Sequence, residues 1–188
     1  MTDTGRTALL VMDIQSAIVD SLPDNEALLD RVVAAVDAAR GAGIAVVFVR
    51  VAFRPGAPEA SPRNLAFSQV AGSDRFDEAG AATQIHPAVA PRPDEVVVIK
   101  RRVGAFSGSD LDVVLRAGDI TDLVLTGIAT SGVVLSTLRL AADLDYRLTV
   151  LADACADRDD EVHRVLLDKV LARQATVMTA AEAIAALS

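Results

Sequence analysis

The chain has little of the side-chain chemistry that proteins use to form disulfides or to bind metals. It contains one cysteine, two histidines and no tryptophan, and aromatic residues make up only 3% of its composition. A single cysteine excludes an internal disulfide framework and any zinc site built from several cysteines. Ala, Val and Leu dominate the apolar residues, which favours a core packed from small aliphatic side chains.

Basic residues and long apolar runs are also scarce, and both shortages exclude classes of partner. The chain has 18 Lys and Arg against 26 Asp and Glu, which gives a formal net charge of −8 at pH 7. Nucleic acid is therefore not expected as a partner, because binding to phosphates requires basic patches. The apolar runs are shorter than the roughly 20 residues of a membrane span, and the N-terminus lacks the blocks of a signal peptide. We expect a cytoplasmic protein without a membrane partner.

Predicted strands and helices alternate along the chain, and this alternation indicates the fold class. Apolar, β-branched segments predict strands at 8–13, 44–53, 95–100, 123–126, 147–152 and 175–178. Helical periodicity and capping signals predict helices at 24–41, 109–118, 131–144, 157–172 and 180–187. Buried strands joined by helices are typical of parallel sheets. We predict a single domain over 1–188, an α/β fold in which a three-layer α/β/α sandwich holds a six-stranded, mostly parallel, doubly wound sheet.

One long segment departs from this alternation. Residues 54–93 hold six of the seven prolines and show little apolar periodicity. Loops of this length in a compact domain are usually lids or binding loops. An oligomer contact or a packed excursion is an equally good interpretation, so both remain open at this point.

Charged side chains stand where the predicted strands end, which is where open parallel sheets bind ligands. Asp13 ends the first strand and Lys100 the third. Asp153 ends the fifth, and the fourth runs into a turn of small residues that begins at Gly127. A carboxylate and an ammonium from distant strands would meet in one crevice and shift each other's pKa. Such a pair can supply an acid or base with an electrostatic anchor, or it can be a structural salt bridge.

Four motifs resemble those of the isochorismatase-like hydrolases, a superfamily that includes nicotinamidases, N-carbamoylsarcosine amidases and isochorismatases. The motifs are LLVMDIQ at 9–15, VVIKRRVGAF at 97–106, TGIATSGVVLST at 126–137 and LTVLADA at 148–154. Their order and spacing agree with the superfamily over nearly the whole chain. The resemblance implies a doubly wound six-stranded parallel sheet and an oligomeric enzyme that needs no organic cofactor.

The resemblance also suggests the site residues. In the amidase branches an Asp, a Lys and a Cys form the catalytic triad, and these positions map to Asp13, Lys100 and Val133. The family has a cis peptide bond at the turn, which would be Ile128–Ala129 here. The backbone N–H groups of Ala129 and Val133 would then form an oxyanion hole. The nucleophilic cysteine of the family is therefore expected to be missing from this chain.

Some members of the superfamily bind a metal through an Asp-x-His motif after the second strand. This chain has VRVAF at 49–53 in that place, without a histidine. The resemblance therefore implies a site that holds neither a metal nor another cofactor.

Two side chains are weighed as replacements for the missing thiol. Ser131 stands two residues before Val133, so its hydroxyl would point elsewhere on the turn. We predict that Ser131 caps the following helix, and we keep it as a candidate for substrate binding. Cys155 is expected to be a buried and inert thiol. Asp153, two residues earlier, is expected to brace the turn after the fourth strand through hydrogen bonds to its backbone.

Five further side chains carry weaker predictions. Gln15 could bind a substrate or orient the catalytic carboxylate. Phe53 and Phe106 could line the binding pocket or belong to the core. A hydrogen bond that fixes the loop explains His86 better than a contact with substrate does, and His163 is expected to be a structural residue with a satisfied ring.

Three functional hypotheses remain. The one we favour is a hydrolase that acts on a small polar molecule through acid–base catalysis by Asp13 and Lys100, without a thiol nucleophile. Its reaction would be the vinyl ether hydrolysis of the isochorismatase branch. The second is an amidase with a displaced nucleophile, such as Ser131 or an activated water. The third is a catalytically inactive protein that binds a ligand or serves as a scaffold. In each case we expect a small-molecule ligand and a homo-oligomer, a dimer or larger.

Overall fold

The computed structural model describes residues 6–70 and 76–186 and confirms the predicted α/β fold. The strands are β1 (Arg6–Met12), β2 (Ala45–Val51), β3 (Val96–Lys100), β4 (Ile120–Ile128), β5 (Arg147–Ala156) and β6 (Thr176–Met178). They form one six-stranded sheet in the order β3-β2-β1-β4-β5-β6. Every pairing between neighbours is parallel, so the sheet is all-parallel where the sequence predicted a mostly parallel one.

Helices connect the strands. They are α1 (Ser16–Val19), α2 (Asn25–Gly41), α3 (Leu111–Ala117), α4 (Leu135–Asp143), α5 (Asp160–Val165) and α6 (Ala180–Ala186). A π-helical turn, Thr130–Val134, leads into α4, and a second one, Leu166–Val170, follows α5. Leu187, the last residue of the predicted final helix, lies outside the described residues. Nowhere in residues 6–70 and 76–186 is a helix long and apolar enough to span a bilayer.

Both faces of the sheet are buried, which produces the predicted sandwich. On one face the strands pack against α2 and α6 through a cluster that includes Leu9, Val11, Phe48, Val32 and Ala180. On the other face they pack against α3, α4 and the segment after α5, through a cluster that includes Leu10, Val49, Leu111, Leu138 and Leu171. Each fully buried aliphatic side chain of this size stabilises the fold by about 1.5–3 kcal/mol. These two clusters fix the strands whose ends carry the candidate site.

β4 and β5 both extend further than the sequence predicted. A shift of register between Leu125 and Gly127 interrupts their pairing, but the pairing resumes beyond it, with Gly127 opposite Cys155 and Ile128 opposite Ala156. The predicted fifth strand was too short because this irregularity breaks the apolar pattern. Asp153 therefore lies inside β5, and not at its end as predicted.

The helix predicted at 157–172 is also corrected. It begins at Asp160 after Asp159, whose side chain accepts hydrogen bonds from the backbone N–H groups of Glu161 and Val162. Its second half consists of the π-helical turn and a 3₁₀ turn, Leu171–Arg173. An acidic residue at the cap satisfies the free N–H groups of the first turn, which explains why the helix begins three residues later than predicted.

The described part of the long segment at 54–93 is a packed excursion. The rings of Phe53 and Phe67 meet edge to face with 5.4 Å between their centroids. Phe53 and Val70 belong to a small apolar cluster of their own at the end of β2. The Arg50 guanidinium donates to the carbonyl oxygens of Glu78 and Thr83, at 3.1 and 3.3 Å. These contacts favour the packed excursion, while a contact with a second copy of the chain stays a prediction. Residues 71–75 lie outside the described residues.

The sheet order determines where a ligand can bind. β1 stands between β2 and β4, so the chain proceeds in opposite directions from β1. Open parallel sheets bind ligands in the crevice at the carboxyl ends of the strands beside such a reversal, which here is the edge where β1 and β4 end. Met12 at the end of β1 is paired with Gly127 near the end of β4. Asp13 and the turn after β4 therefore lie side by side at this crevice.

Gly127 allows this close approach, and replacing it is expected to be costly. A Cβ atom at position 127 would lie 2.5 Å from the carbonyl oxygen of Met12, so the backbone of β1 would have to move. We expect Gly127→Ala to lower the free energy of unfolding by about 1–3 kcal/mol. Urea denaturation measures the change. Gly41→Ala is the control, because no atom lies within 4 Å of the added Cβ there; an equal effect of the two substitutions would contradict the close-approach explanation.

Candidate active site

Asp13 and Lys100 form a buried ion pair at the crevice. Lys100 Nζ lies 2.9 Å from Asp13 Oδ2. The residues come from β1 and β3, and the pair spans the end of β2, where Lys100 stands in register with Val51. Asp13 is 5% exposed and Lys100 2%, so both members of the pair are buried. The structure thus brings together the two charges that the sequence predicted to meet.

The Lys100 ammonium is held in one position. Besides Asp13 it donates to the carbonyl oxygens of Arg102 and Val103, both at 3.0 Å. An ammonium has three N–H donors, so all of them have partners. Lys100 is therefore a fixed positive charge and not a mobile side chain.

Asp13 is held less completely. Its backbone adopts a left-handed conformation with φ 57°, which Asp tolerates better than most residues, and its N–H donates to the Val49 carbonyl oxygen at 2.8 Å. Within the described residues its second oxygen, Oδ1, is buried without a hydrogen-bond partner. Burial raises the pKa of the Asp13 carboxyl above its ordinary value, and the charge and hydrogen bond of Lys100 oppose this only in part. The Val51 N–H also lowers this pKa, although its own hydrogen bond goes to the Gln15 amide oxygen at 2.8 Å. The group is able to hold a proton at a higher pH than an exposed Asp.

The turn after β4 has the predicted cis peptide bond between Ile128 and Ala129. The N–H groups of Gly132 and Val134 both bond to the Ala129 carbonyl oxygen, at 3.0 and 3.3 Å. Val133 is buried, and its side chain belongs to the apolar core. A Cβ atom at Gly132 would lie 3.9 Å from Val103 Cγ1, so the turn contacts the loop that holds Lys100.

Ser131 does not cap the helix as predicted. The capping position before the π-helical turn is Ala129, and no side chain bonds to the N–H groups there from that position. Ser131 lies two residues further in, is exposed, and donates its N–H to Asp157 Oδ2 at 2.7 Å. Burial would raise the pKa of Asp157, but the hydrogen bonds from Ser131 and from the backbone N–H groups of Arg158 and Asp159 together outweigh it and hold the pKa below its usual value. Asp157, from beyond β5, thus does the capping that was assigned to Ser131.

Asp153 does not brace the turn after β4. Its carboxylate accepts the N–H of Ala180 at 2.7 Å and lies 3.2 Å from the Arg31 guanidinium. Because β5 continues past residue 153, this side chain reaches α2 and α6 on one face of the sheet. The predicted role was wrong for that reason.

Cys155 is the inert thiol that the sequence predicted. It lies on β5 in the apolar core, with Sγ 3.9 Å from the Leu125 carbonyl oxygen. Burial raises the pKa of this thiol to about 12. Since only a thiolate is an effective nucleophile, Cys155 is unsuited to covalent catalysis.

Gln15 belongs to the scaffold. Its amide nitrogen donates to the carbonyl oxygens of Val51 and Thr83, at 3.0 and 2.7 Å, and its amide oxygen accepts the N–H of Val51 at 2.8 Å. Both N–H donors of the side chain are therefore used within the fold. The buried amide thus ties β2 to the long segment, and a role in binding a substrate or orienting Asp13 stays a prediction.

Contacts within the fold account for the positions of the two phenylalanine and two histidine candidates. Phe53 is 1% exposed in its own cluster, and Phe106 is 7% exposed with its ring centroid 6.1 Å from that of Tyr146. His86 Nδ1 accepts the N–H of Ala88 at 3.2 Å, which fixes the loop as predicted. His163 Nδ1 lies 2.7 Å from Thr130 Oγ1, so its ring has the predicted partner. A pocket-lining role for the two phenylalanines stays a prediction.

A wide cleft of about 650 Å³ opens beside β3 and not over the ion pair. It is lined by Arg54, Glu59, Val97, Ile99, Arg101, Arg102 and residues 107–110. Neither Asp13 nor Lys100 is among these lining residues, although Arg101 and Arg102 directly follow Lys100. In the part of the chain that the structure describes, no group of three His, Cys, Asp or Glu side chains is arranged to hold a metal ion.

Some features of the site had no signal in the sequence. The carbonyl oxygens of Arg102 and Val103 hold Lys100, but every residue has a carbonyl oxygen, so no residue type points to them. Asp157 could have been identified, because it is an acidic residue directly after the end of β5. It was read as the first turn of a helix because the end of β5 was placed too early.

Comparison with known proteins identifies relatives that match most of the chain. The family model described as isochorismatase domain matches residues 7–182. The isochorismatase family protein YwoC of Bacillus subtilis (strain 168) is 33% identical over 171 residues, which cover 91% of this chain and 88% of that protein. The ureidoacrylate amidohydrolase RutB of Stutzerimonas stutzeri (strain A1501) is also 33% identical, with 79% of this chain and 68% of that protein covered. The structure of an isochorismatase family protein from Burkholderia thailandensis superposes with a TM-score of 0.86 at 32% identity, covering 96% of this chain and 95% of that one.

Proposed function

The chain belongs to the isochorismatase family, and from this premise we propose that it hydrolyses a small polar molecule by proton transfer at Asp13, without a thiol nucleophile. One observation carries the proposal. Asp13 is a buried carboxyl group with one oxygen bound to the Lys100 ammonium at 2.9 Å, and within the described residues its other oxygen has no partner. A buried polar atom without a partner is costly to the fold, and a substrate that bonds to it would remove that cost.

The charges around Asp13 suit a general acid. Burial raises the pKa of its carboxyl group more than the Lys100 charge lowers it. Acid catalysis is most effective when the pKa of the acid lies near the working pH. After the proton has left, the fixed ammonium of Lys100 stabilises the carboxylate that remains.

Two facts support chemistry without a thiol. Position 133, which corresponds to the nucleophile of the amidase branches by resemblance, holds a valine. The chain's one cysteine is buried and its pKa is raised to about 12. At neutral pH its thiolate fraction is about a thousandfold lower than that of an ordinary cysteine. This chain therefore lacks a reactive thiolate for a mechanism that needs one at the crevice.

Vinyl ether hydrolysis is the reaction that we propose. Protonated Asp13 gives its proton to the terminal carbon of the C=C–O group, which forms a C–H bond and leaves an oxocarbenium ion. Water adds to this cation, and the Asp13 carboxylate takes the proton that the water loses. The resulting hemiketal breaks the C–O bond to its alkoxy group as its hydroxyl proton passes to the departing oxygen, and a ketone and an alcohol are formed with Asp13 left protonated for the next cycle. No covalent bond to the protein is formed at any step.

Amide or ureide hydrolysis is a second candidate, favoured by the relatives. RutB of Stutzerimonas stutzeri, 33% identical, is a ureidoacrylate amidohydrolase. Here the ionised Asp13 would act as a base on a water molecule, and N–H groups of Ala129 and Val133 would bind the oxyanion. Because this role needs the carboxylate, its rate would rise with pH, whereas the acid role requires the protonated form.

A substrate panel with a pH profile tests the proposal. We expect turnover of an enol ether among enol ethers, amides and ureides, with kcat falling as pH rises through the raised pKa of Asp13. Treatment with iodoacetamide is expected to leave kcat unchanged, as is Cys155→Ala. Hydrolysis of an amide or ureide at a rate that rises with pH would support the second candidate. Loss of activity on alkylation would contradict chemistry without a thiol, and inactivity on the whole panel would leave the ligand-binding alternative.

A further inference from the structure

The turn that begins at Gly127 is held from outside by the segment that follows β5. His163 Nδ1 lies 2.7 Å from Thr130 Oγ1, and Asp157 Oδ2 accepts the N–H of Ser131 at 2.7 Å. Thr130 is fully buried. Thr130 and Ser131 are thus each hydrogen-bonded to a side chain of the same short segment, His163 and Asp157.

The first two hydrogen bonds of the turn share a single acceptor. The N–H groups of Gly132 and Val134 both reach the Ala129 carbonyl oxygen, in the wide geometry of a π-helical turn. π-Helical turns are uncommon and are frequently found at functional sites. The carbonyl oxygen of Thr130 accepts the N–H of Leu135, so the bonds of the turn itself hold only the Thr130 backbone, while the Thr130 hydroxyl and the Ser131 N–H are bonded by the segment after β5.

Asp157 also decides which N–H groups of the turn remain for a ligand. Its carboxylate occupies the Ser131 N–H, and the hydrogen bonds that it accepts hold its pKa low despite burial, so it stays ionised. A negatively charged ligand atom would be repelled at that position. The donors left to such a ligand are therefore those of other residues of the turn, such as Ala129 and Val133.

The His163 ring suits a permanent hydrogen bond. It is half-buried, and burial lowers its pKa although Asp157, Asp160 and Asp168 act in the opposite direction. The ring is therefore neutral at neutral pH, and one of its nitrogens is an acceptor. Thr130, buried and facing Nδ1, has the hydroxyl that fits this acceptor.

We infer that His163 and Asp157 are positioning residues, which fix the Ala129–Val133 turn beside Asp13 through Thr130 and Ser131. They touch no reacting atom and act only through the turn. The inference rests on the proposed function in one respect, because it assumes that the turn borders the bound substrate. If the inference holds, turnover depends on the segment from the end of β5 into α5 as well as on Asp13 and Lys100.

Hydrogen–deuterium exchange tests the contact without any substrate. We expect His163→Leu to raise the exchange rate of the 129–135 amides by about tenfold or more, while α2 exchanges as before. Asparagine places a hydrogen-bonding atom where Nδ1 of histidine lies, so His163→Asn is expected to restore the wild-type rate. The control is His86→Leu, at the chain's other histidine, which should leave these amides unchanged. Unchanged exchange of the turn in His163→Leu, or a rise of equal size in α2, would overturn the inference.

Kinetics separates a positioning role from a structural one. With the substrate that the panel identifies, His163→Leu should lower kcat by about 10- to 100-fold, change KM less than twofold, and be rescued by His163→Asn. An unchanged kcat despite faster exchange would reduce His163 to a structural residue. If instead Asp13→Asn retains full activity while both His163 results hold, the proposed function fails and the positioning role stands.

Discussion

Lys100→Met is expected to lower the free energy of unfolding by about 3–5 kcal/mol, a large share of the stability of a domain of this size. Lys100 is 2% exposed and supplies three hydrogen bonds, one to Asp13 and two to backbone carbonyl oxygens. Methionine fills a similar volume without a charge or a donor. The substitution therefore leaves a buried carboxyl group without its counter-ion and two carbonyl oxygens without partners.

The loss should depend on pH in a definite direction. The pKa of Asp13 in the folded protein already lies above the unfolded value of 3.8, and removal of the Lys100 charge raises it further. A carboxyl group whose folded pKa is raised binds its proton more tightly in the folded state, so stability falls as pH rises from the unfolded through the folded pKa. The difference between wild type and variant is therefore expected to be smaller at about pH 4 than at about pH 8.

Urea denaturation at both pH values measures this effect. Lys169→Met is the matched control, because Lys169 is the chain's only other lysine and is exposed. It should change stability by no more than about 0.5 kcal/mol. A Lys100→Met protein that is as stable as the control at pH 8 would show that the ion pair does not hold the ends of β1 and β3 together.

The sheet could be predicted because its signal is repeated in every strand. Strands buried on both faces are almost wholly apolar, and the runs at 8–13 and 95–100 predicted β1 and β3 to within about two residues. Helical periodicity between the predicted strands indicates that a helix connects each strand to the next. Connections of this kind join parallel strands, so the sheet was predicted to be parallel. The ends of β4 and β5 were placed too early because a register shift interrupts their pattern, and only the paired strand reveals that pairing resumes.

The ion pair could be predicted, but its surroundings could not. Parallel strands bring their carboxyl ends to one edge, so Asp13 and Lys100 had to lie near each other once the sheet was known. The partners of the Gln15 amide beside them could not be predicted, because which backbone groups a buried side chain meets depends on the path of residues 54–93. Ser131 was misjudged for a related reason, since the group that caps the turn is 26 residues away in sequence.

Asp13→Asn is expected to lower kcat by about 10²- to 10⁴-fold, the usual contribution of a general acid or base. The amide keeps the shape of the side chain and can still accept a hydrogen bond from Lys100, but it cannot transfer a proton at any working pH. Both candidate reactions lose their central step, since one needs the protonated and the other the ionised carboxyl group. Ligand binding should be largely retained, because the crevice keeps its shape.

The measurement that tests the account most directly is the turnover of Asp13→Asn set beside its binding of the same ligand. Both are measured on protein shown to be folded by its thermal transition, with the exposed Asp20→Asn as the control. We predict that kcat falls by at least about a hundredfold, while the Kd stays within a few-fold of the wild-type value. An Asp13→Asn protein that turns over its substrate at the wild-type rate would contradict the claim that this carboxyl group carries the chemistry.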